Sequence, residues 1–359
     1  MLYYLLSSLV NLFSVFNIFR YISVRALLAS ITAFLCTFLL FPLFIRWLKR
    51  YGVGENIRKE YKDLYLLQRK KEGTPTMGGV LIIASVVISV ICWADIFNQY
   101  IWLILSSLLY LGGLGFVDDY IKLIKRRSSG LTPTVKFLAQ IVWGVFIGLF
   151  LMTNYPPKLH LPFFKHLVFN LGWFYLLWTA FIISAFSNAV NLTDGLDGLA
   201  IGCVVIVAFV YAIIGYLCGN VRFSHYLFIP YSPYGGEVGI FCAAIVGAGL
   251  GFLWYNCYPA EIFMGDSGSL ALGGCLGLSA LLLKHEVLLI LVGGVFTLEA
   301  LSVLLQVVYF KTKRKRIFLM SPVHHHFQIK GLAEPKVVVR FWIMGLIFGL
   351  LGLLTLKIR

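Results

Sequence analysis

The chain has 359 residues, of which 60% are hydrophobic and only 13% are charged, and its mean hydropathy is +0.89. This composition excludes an ordinary soluble domain. The formal net charge of +15 does not indicate nucleic-acid binding in so apolar a chain. It indicates an oriented membrane protein that attracts anionic headgroups and anionic substrates. The seven cysteines show no paired spacing, so they predict neither a disulfide framework nor a zinc site.

About ten apolar stretches approach the roughly 20 residues that a helix needs to cross a bilayer. They predict an all-α polytopic membrane protein with about ten transmembrane helices, forming a single domain over residues 1–359. Residues 1–21 are apolar and aromatic but lack the basic start of a signal peptide, so they predict an interfacial N-terminal helix. The predicted spans cover residues 24–45, 78–94, 100–117, 137–152, 167–186, 199–218, 238–255, 270–283, 287–310 and 341–356.

The basic residues predict the orientation of the chain. Three loops, residues 46–71, 122–136 and 311–340, hold 22 of the 30 Lys and Arg residues. With ten spans these loops share one face, which the positive-inside rule makes cytoplasmic, so both termini lie outside. The sequence shows no convincing internal repeat, and an inverted-repeat transporter therefore has no support.

Asp118 and Asp119 are adjacent at the end of the apolar run 110–117, where a spanning helix is predicted to reach water. A helix C-terminus carries partial negative charge, so two carboxylates there need a positive partner. Adjacent acids at a solvated helix end are common, but other polar clusters on the same face favour a metal site. Asp266 follows Gly265 at the start of a later span, and it supplies the third carboxylate for a hard cation such as Mg²⁺.

Two further clusters fall on this predicted face. Lys71 and Thr76 precede the second span, where they form either a simple cap and turn or a phosphate-binding helix start. Asp194 and Asp197 share a face if a helix has begun there. Capping of the next span explains one of these acids, but it does not explain two acids with several polar neighbours. The same short polar loop, 188–197, contributes the candidates Asn188, Asn191, Gly195 and Leu196.

The remaining candidates lie nearer the C-terminus. Phe263 is either membrane-facing or a platform for a nucleobase, and Asn256 precedes it. The consecutive histidines 324–326 have no zinc-ligand spacing, so they are predicted to lie beside a diphosphate. Glu299 lies within a span with Gln306 seven residues on; an intramembrane acid is a functional candidate, although an interhelical hydrogen bond satisfies it equally well.

Three motifs together resemble one family: residues 115–119 (Gly-Phe-Val-Asp-Asp), 191–198 (Asn-Leu-Thr-Asp-Gly-Leu-Asp-Gly) and 322–327 (Pro-Val-His-His-His-Phe). With residues 71–79 and 264–268, they are similar to phospho-N-acetylmuramoyl-pentapeptide transferases, a branch of the polyprenyl-phosphate N-acetylhexosamine-1-phosphate transferase superfamily. The resemblance runs from about residue 22 to the C-terminus. It implies a Mg²⁺-dependent reaction in the bacterial inner membrane, in which UDP-N-acetylmuramoyl-pentapeptide and undecaprenyl phosphate give lipid I and UMP. It also implies a homodimer.

The hypothesis for the site assigns Mg²⁺ to Asp266, with Asp118 or Asp119 nearby. The other acid of the pair acts as base on the lipid phosphate or attacks the sugar-linked phosphorus, and one displacement or two both remain open. His325 completes the predicted catalytic set. The candidates for binding uridine and ribose are Asn191, Asp194, Asp197, Asn256 and Phe263, and those for the diphosphate are Lys71, Thr76, His324, His325 and His326. Further substrate-binding candidates, not assigned to either part of the donor, are Asn188, Gly195, Leu196 and Gln306.

Two other functions are compatible with parts of this pattern. Within the superfamily, the rival is a transferase that uses UDP-N-acetylglucosamine, and the triple histidine favours the muramoyl donor. From a different class, the rival is a multi-span transporter or lipid flippase. A transporter is expected to carry charged groups through the bilayer core, whereas only Glu299 is clearly deep here.

Overall fold

The computed structural model describes residues 1–11, 13–51, 54, 71–125, 130–164 and 167–358. Within these residues the chain forms fourteen α-helices and one two-stranded hairpin. The helices are α1 (Leu2–Ser8), α2 (Ile22–Arg50), α3 (Gly79–Trp93), α4 (Gln99–Lys125), α5 (Pro133–Asn154), α6 (Phe174–Thr193), α7 (Leu199–Cys218), α8 (Val221–Leu227), α9 (Gly235–Asn256), α10 (Gly265–Leu282), α11 (Glu286–Val292), α12 (Gly294–Lys313), α13 (Val323–Ile329) and α14 (Glu334–Thr355).

Eight of the described helices are long and apolar enough to cross a membrane: α2, α4, α5, α6, α7, α9, α12 and α14. Helix α3 is apolar but has only 15 residues, and α10 carries Asp, Ser and Gly residues in its first two turns. These two helices coincide with predicted spans, so all ten predicted stretches contain a helix. The all-α polytopic architecture is confirmed, while the orientation of the termini stays a prediction.

Helix α10 lies at the centre of the bundle. Every residue from 267 to 282 is buried, because α10 packs against α4 on one side and α6 on the other. Small residues allow this close packing: a Cβ on Gly273 would lie 2.4 Å from the carbonyl oxygen of Phe186. Helix α9 packs in turn against α2 and α7. The first turn of α10 is therefore held between the ends of α4 and α6.

Two predicted helix ends were wrong, and both matter for the site. Helix α4 continues to Lys125, so Asp118 and Asp119 lie inside the helix and are buried rather than at a solvated end. Helix α6 continues through Thr193, so most of the predicted polar loop is helical. In both places, polar side chains find partners on neighbouring helices, and the helix can continue beyond its apolar run.

Three other predicted boundaries also differ. The predicted span 287–310 is broken at Gly293 into α11 and α12, as glycine pairs permit. The predicted span 167–186 begins as a helix only at Phe174, because β1 (Lys158–His160) pairs antiparallel with β2 (Val168–Asn170) before it. The N-terminal stretch is not one helix but α1 and two 3₁₀ turns, Leu9–Asn11 and Ser14–Arg20. Seven of the 22 counted basic residues lie outside the described residues.

Candidate active site

Three aspartate side chains from two helices meet at one end of the bundle. Asp118 and Asp119 lie on α4, and Asp266 is the second residue of α10. One carboxylate oxygen from each lies within 4.8 Å of the others. Asp118 and Asp119 are 1% and 4% exposed, whereas the Asp266 side chain is 15% exposed. The fold thus brings the three predicted ligands together with Asp266 the most accessible, and the ion itself stays a prediction.

The start of α10 is fixed to α4 at two points. Asp119 accepts hydrogen bonds from the backbone N–H groups of Asp266 and Ser267, at 3.3 and 3.1 Å. Such N–H groups have no partner within their own helix, so the carboxylate caps α10 and interacts with the positive end of its dipole. One turn earlier on α4, a Cβ on Gly115 would lie 2.2 Å from the carbonyl oxygen of Asp266. This contact therefore requires glycine.

Two lysines that sequence reasoning counted only as loop charges lie among the carboxylates. Lys122 Nζ is 2.7 Å from Asp118 Oδ2 and 3.0 Å from Asp266 Oδ2. Lys136 Nζ is 3.3 Å from Asp118 Oδ1 and 2.7 Å from Asp266 Oδ2. Lys122 follows Asp118 by four residues, a helical spacing that was available in the sequence. Lys136 lies on α5, and only the fold shows that it contacts these carboxylates.

The two asparagines near the end of α6 have different neighbours. Asn191 Nδ2 donates to Asp266 Oδ1 at 2.7 Å and to Ser269 Oγ at 2.8 Å. Asn188 lies one turn earlier and donates to Gln140 Oε1 at 2.6 Å. Asn191 therefore borders the carboxylates, while Asn188 ties α6 to α5. Their predicted contacts with substrate stay predictions.

The loop of residues 194–198 carries an ion-pair network beside the aspartates. Lys71 Nζ lies 2.6 Å from Asp197 Oδ1 and 2.5 Å from Glu334 Oε1. The same Glu334 oxygen accepts the backbone N–H of Asp197 at 2.9 Å. Glu334 opens α14 and was missed, because no sequence spacing relates it to Lys71 or Asp197. The two predicted residues thus contact each other directly, and Glu334, which the sequence does not mark, contacts both.

Asn256 joins this loop to the next polar segment. Its Oδ1 accepts the backbone N–H of Gly198 at 3.0 Å, and its Nδ2 donates to the carbonyl of Ile262 at 2.8 Å. Leu196 is buried at 4% exposure, and Asp194 is half-buried. Asn256 therefore sets the position of the 194–198 loop relative to the segment that leads into α10.

Phe263 pairs along the backbone with the segment before α3. Its N–H donates to the carbonyl of Pro75 at 2.8 Å, and its carbonyl accepts the N–H of Gly78 at 2.9 Å. Gly265, two residues later, has φ of +76°, and a Cβ there would lie 3.2 Å from Thr76 Oγ1 and 2.6 Å from a carboxylate oxygen of Asp119. This pairing places Thr76 beside the aspartates, while Phe263 is half-buried two residues before Gly265.

The first two histidines of the triple-histidine segment are buried. The His324 side chain is 0% exposed, with Nδ1 3.2 Å from Glu299 Oε2. His325 Nδ1 lies 2.9 Å from Gln328 Oε1, so it is assigned as the donor. Burial, and then the neighbouring His324 and Lys71 charges, lower the pKa of His325 to about 3. At neutral pH it is an uncharged imidazole, not a cation. Both rings lie against Gly195.

His326 and Gln306 hold a connecting segment. His326 Nδ1 accepts the backbone N–H of Leu319 at 3.1 Å. Gln306 Oε1 accepts the N–H groups of Ile317 and Phe318, and its Nε2 donates to the Phe318 carbonyl. Both side chains therefore fix the segment between α12 and α13. Their predicted roles in substrate binding stay predictions.

Comparison with known proteins places these features in a family. Residues 101–284 match the model described as Glycosyl transferase family 4, and residues 71–83 match Phospho-N-acetylmuramoyl-pentapeptide-transferase signature 1. Phospho-N-acetylmuramoyl-pentapeptide-transferases from Thermodesulfovibrio yellowstonii and Desulfotalea psychrophila are each 50% identical, over 364 and 362 residues, with all of both chains covered. The chain belongs to the phospho-N-acetylmuramoyl-pentapeptide-transferase family.

This membership confirms the resemblance seen in the three motifs. The protein is a transferase and a multi-pass membrane protein of that family. The Glycosyl transferase family 4 segment contains all three aspartates and the 194–198 loop, and the signature contains Lys71 and Thr76. The two matched segments thus contain the aspartates, Lys71 and Thr76, which meet at one end of the bundle.

Proposed function

We propose that this chain transfers phospho-N-acetylmuramoyl-pentapeptide from its UDP derivative to undecaprenyl phosphate, giving lipid I and UMP. The observation that carries the proposal is the meeting of Asp118, Asp119 and Asp266 beside the 194–198 loop in a chain of this family. Both substrates are anionic, and one of them is anchored in lipid. Their phosphates can therefore meet only at the level of the headgroups, at one end of a helical bundle.

The three aspartates fit a hard divalent cation. Their ligand atoms are all carboxylate oxygens within 4.8 Å of one another, the donor type that Mg²⁺ prefers. Asp266 would hold the ion together with Asp118 or Asp119, since it has the most exposed side chain of the three. A bound Mg²⁺ supplies stabilisation of the charge on the transferring phosphoryl group.

The lysines among the carboxylates serve the same phosphates. The Nζ atoms of Lys122 and Lys136 both contact Asp266, so they place two positive charges beside the carboxylate that would hold the ion, within reach of a phosphate bound there. Positive groups placed before the reaction begins stabilise developing charge without further reorganisation. Lys122 and Lys136 thus offset the repulsion between a diphosphate and the acceptor phosphate.

In the reaction, a phosphate oxygen of the lipid forms a bond to the sugar-linked phosphorus, and the bond from that phosphorus to the UMP oxygen breaks. One displacement achieves this if Asp118 or Asp119 only orients and deprotonates the acceptor. Two displacements achieve it if one of these carboxylates first carries the phospho-sugar. Inversion at a chiral sugar-linked phosphorus indicates one displacement, and a trapped aspartyl phospho-sugar indicates two.

The nucleotide is assigned to the region around the 194–198 loop. Asp197 offers a carboxylate in contact with Lys71, Asn256 an amide bonded to Gly198 of the same loop, and Phe263 an aromatic ring on the segment paired with Pro75 and Gly78. Neutral His325 offers an Nε2 acceptor toward a substrate hydroxyl or amide rather than a positive charge toward phosphate. We also assign the protein to the bacterial inner membrane as a homodimer, with this end of the bundle facing the cytoplasm.

One assay tests the proposal. Purified protein is incubated with undecaprenyl phosphate, UDP-N-acetylmuramoyl-pentapeptide and Mg²⁺, and released UMP is measured. Release of UMP that requires both substrates and the metal is expected. UMP release only with UDP-N-acetylglucosamine assigns the chain to the rival donor, and vesicle transport of lipid without UMP release contradicts a transferase.

A further inference from the structure

Glu299 is an acid within the membrane-spanning helix α12 that the proposed reaction does not use. Its side chain is 0% exposed, and Oε2 lies 3.2 Å from Nδ1 of His324, which is equally buried. No described residue gives either Glu299 oxygen a hydrogen bond of ordinary geometry. A buried carboxylate in apolar surroundings is very unfavourable without a partner. His324 is therefore the group that stabilises it.

The opposite side of the His324 ring faces the 194–198 loop. A Cβ on Gly195 would lie 2.4 Å from His324 Nε2 and 3.2 Å from His325 Nε2. The His324 and His325 ring centroids are 4.1 Å apart. The backbone of the loop thus rests directly on the two imidazoles, and only glycine leaves room for this contact.

A second contact anchors the same turn of α13 on α12. Ser302 Oγ donates to the carbonyl of Glu299 at 2.7 Å and accepts the N–H of Val323 at 3.1 Å. The first residues of α13 are thus attached to α12 through both side chain and backbone. The Glu299 carboxylate adds orientation, because its Oε2 lies at an ion-pair distance of 3.2 Å from Nδ1 of His324 and so favours a proton-bearing Nδ1 on that side of the ring.

We propose that Glu299 is a positioning residue, whose carboxylate fixes the orientation and Nδ1–H form of His324 so that the ring supports Gly195 and sets the shape of the 194–198 loop. The proposal rests on the proposed function in one respect, namely that this loop binds the nucleotide of the donor. Both side chains are fully buried, so the proposal requires neither Glu299 nor His324 to touch substrate. The effect of Glu299 therefore appears in donor binding and not in lipid binding.

Two substitutions at Glu299 test this role. Glu299→Gln keeps the volume and an acceptor oxygen but removes the charge, whereas Glu299→Met removes the acceptor as well. The KM for the UDP donor is expected to rise about tenfold for Met and less for Gln, because only Met leaves the buried Nδ1 of His324 without a polar neighbour at this position. The KM for undecaprenyl phosphate should stay within about twofold. In ¹⁵N-histidine spectra, the Nδ1–H signal of His324 should be lost in the Met variant.

A double variant asks whether Glu299 acts through His324. Glu299→Met combined with His324→Met should raise the donor KM no further than His324→Met alone, because contacting residues on one route are not additive. Additive effects would overturn the proposal, as would an unchanged donor KM in Glu299→Met or an equal rise in the lipid KM.

Glu286→Gln is the matched control. Glu286 is also 0% exposed, but it opens α11 and contacts none of the site residues described above. It should lower thermal stability without changing the donor KM. Asp197→Asn tests separately whether the 194–198 loop binds the nucleotide. An unchanged donor KM in this variant removes the loop from the nucleotide site. If the donor KM rises, the loop stays in the site, and the Glu299 variants decide the positioning role of Glu299.

Discussion

Replacing Gly115 by Ala tests how closely α4 and α10 must approach for the site to form. The added Cβ would lie 2.2 Å from the carbonyl oxygen of Asp266, whereas ordinary contact begins at 3.4 Å, so the helices must separate by about 1.2 Å. This separation draws Asp118 and Asp119 away from Asp266. A misplacement of about 1 Å costs on the order of 10²-fold in rate, or about 2.7 kcal/mol in the activation barrier.

The assay is UMP release at saturating substrates, combined with a Mn²⁺ titration of the same preparation. Gly113→Ala is the control, because it lies on the same helix and a Cβ there meets no atom within 4 Å. We expect about a hundredfold lower turnover and weaker Mn²⁺ binding for the Gly115 variant only. Wild-type turnover in Gly115→Ala, or an equal loss in Gly113→Ala, would refute the link between helix approach and activity.

Three further predictions follow from individual side chains. Because the pKa of His325 is lowered from 6.5 to about 3, the folded state loses stability as pH falls from about 6.5 toward 3. At pH 5, the free energy of unfolding of the wild type should be about 2 kcal/mol lower than at pH 7.5, and His325→Gln should not show this loss. Equal thermal-denaturation shifts for the two proteins would contradict this. Lys136→Met should lower turnover at least about tenfold, and unchanged UMP release would remove Lys136 from the site. Asp197→Asn should raise the donor KM about tenfold, through lost contacts to Lys71 and the Ala260 N–H; an unchanged KM in steady-state assays argues against it.

The sequence was sufficient for the membrane architecture and for the carboxylates. Apolar stretches of membrane length predict helices directly, because a helix satisfies the backbone hydrogen bonds of a single segment without water. Asp118, Asp119 and Asp266 could be grouped by residue type and predicted face alone. The helix ends were harder to predict, because α4 and α6 continue past their apolar runs, where Lys122 and Asn191 both pair with Asp266 on α10.

The residues that sequence reasoning missed depend on tertiary packing. Lys122 has a helical spacing to Asp118, but its place in a basic stretch indicates only the orientation of the chain in the membrane. Lys136 on α5 and Glu334 on α14 contact partners that are distant in sequence, so no local pattern predicts them. Glu299 was recognised as an acid within a span, but its partner His324 is known only from the packing of α13 on α12.

Mn²⁺ binding followed by electron paramagnetic resonance, with and without Asp266→Asn, tests the central claim most directly. Mn²⁺ shares the oxygen-ligand preference of Mg²⁺, and Asp266 has the most exposed carboxylate of the three. We expect one Mn²⁺ ion per wild-type chain, displaced by Mg²⁺, and at least about tenfold weaker Mn²⁺ binding in the variant, or about 1.4 kcal/mol. Equal Mn²⁺ affinity in the two proteins would contradict a metal site at these aspartates.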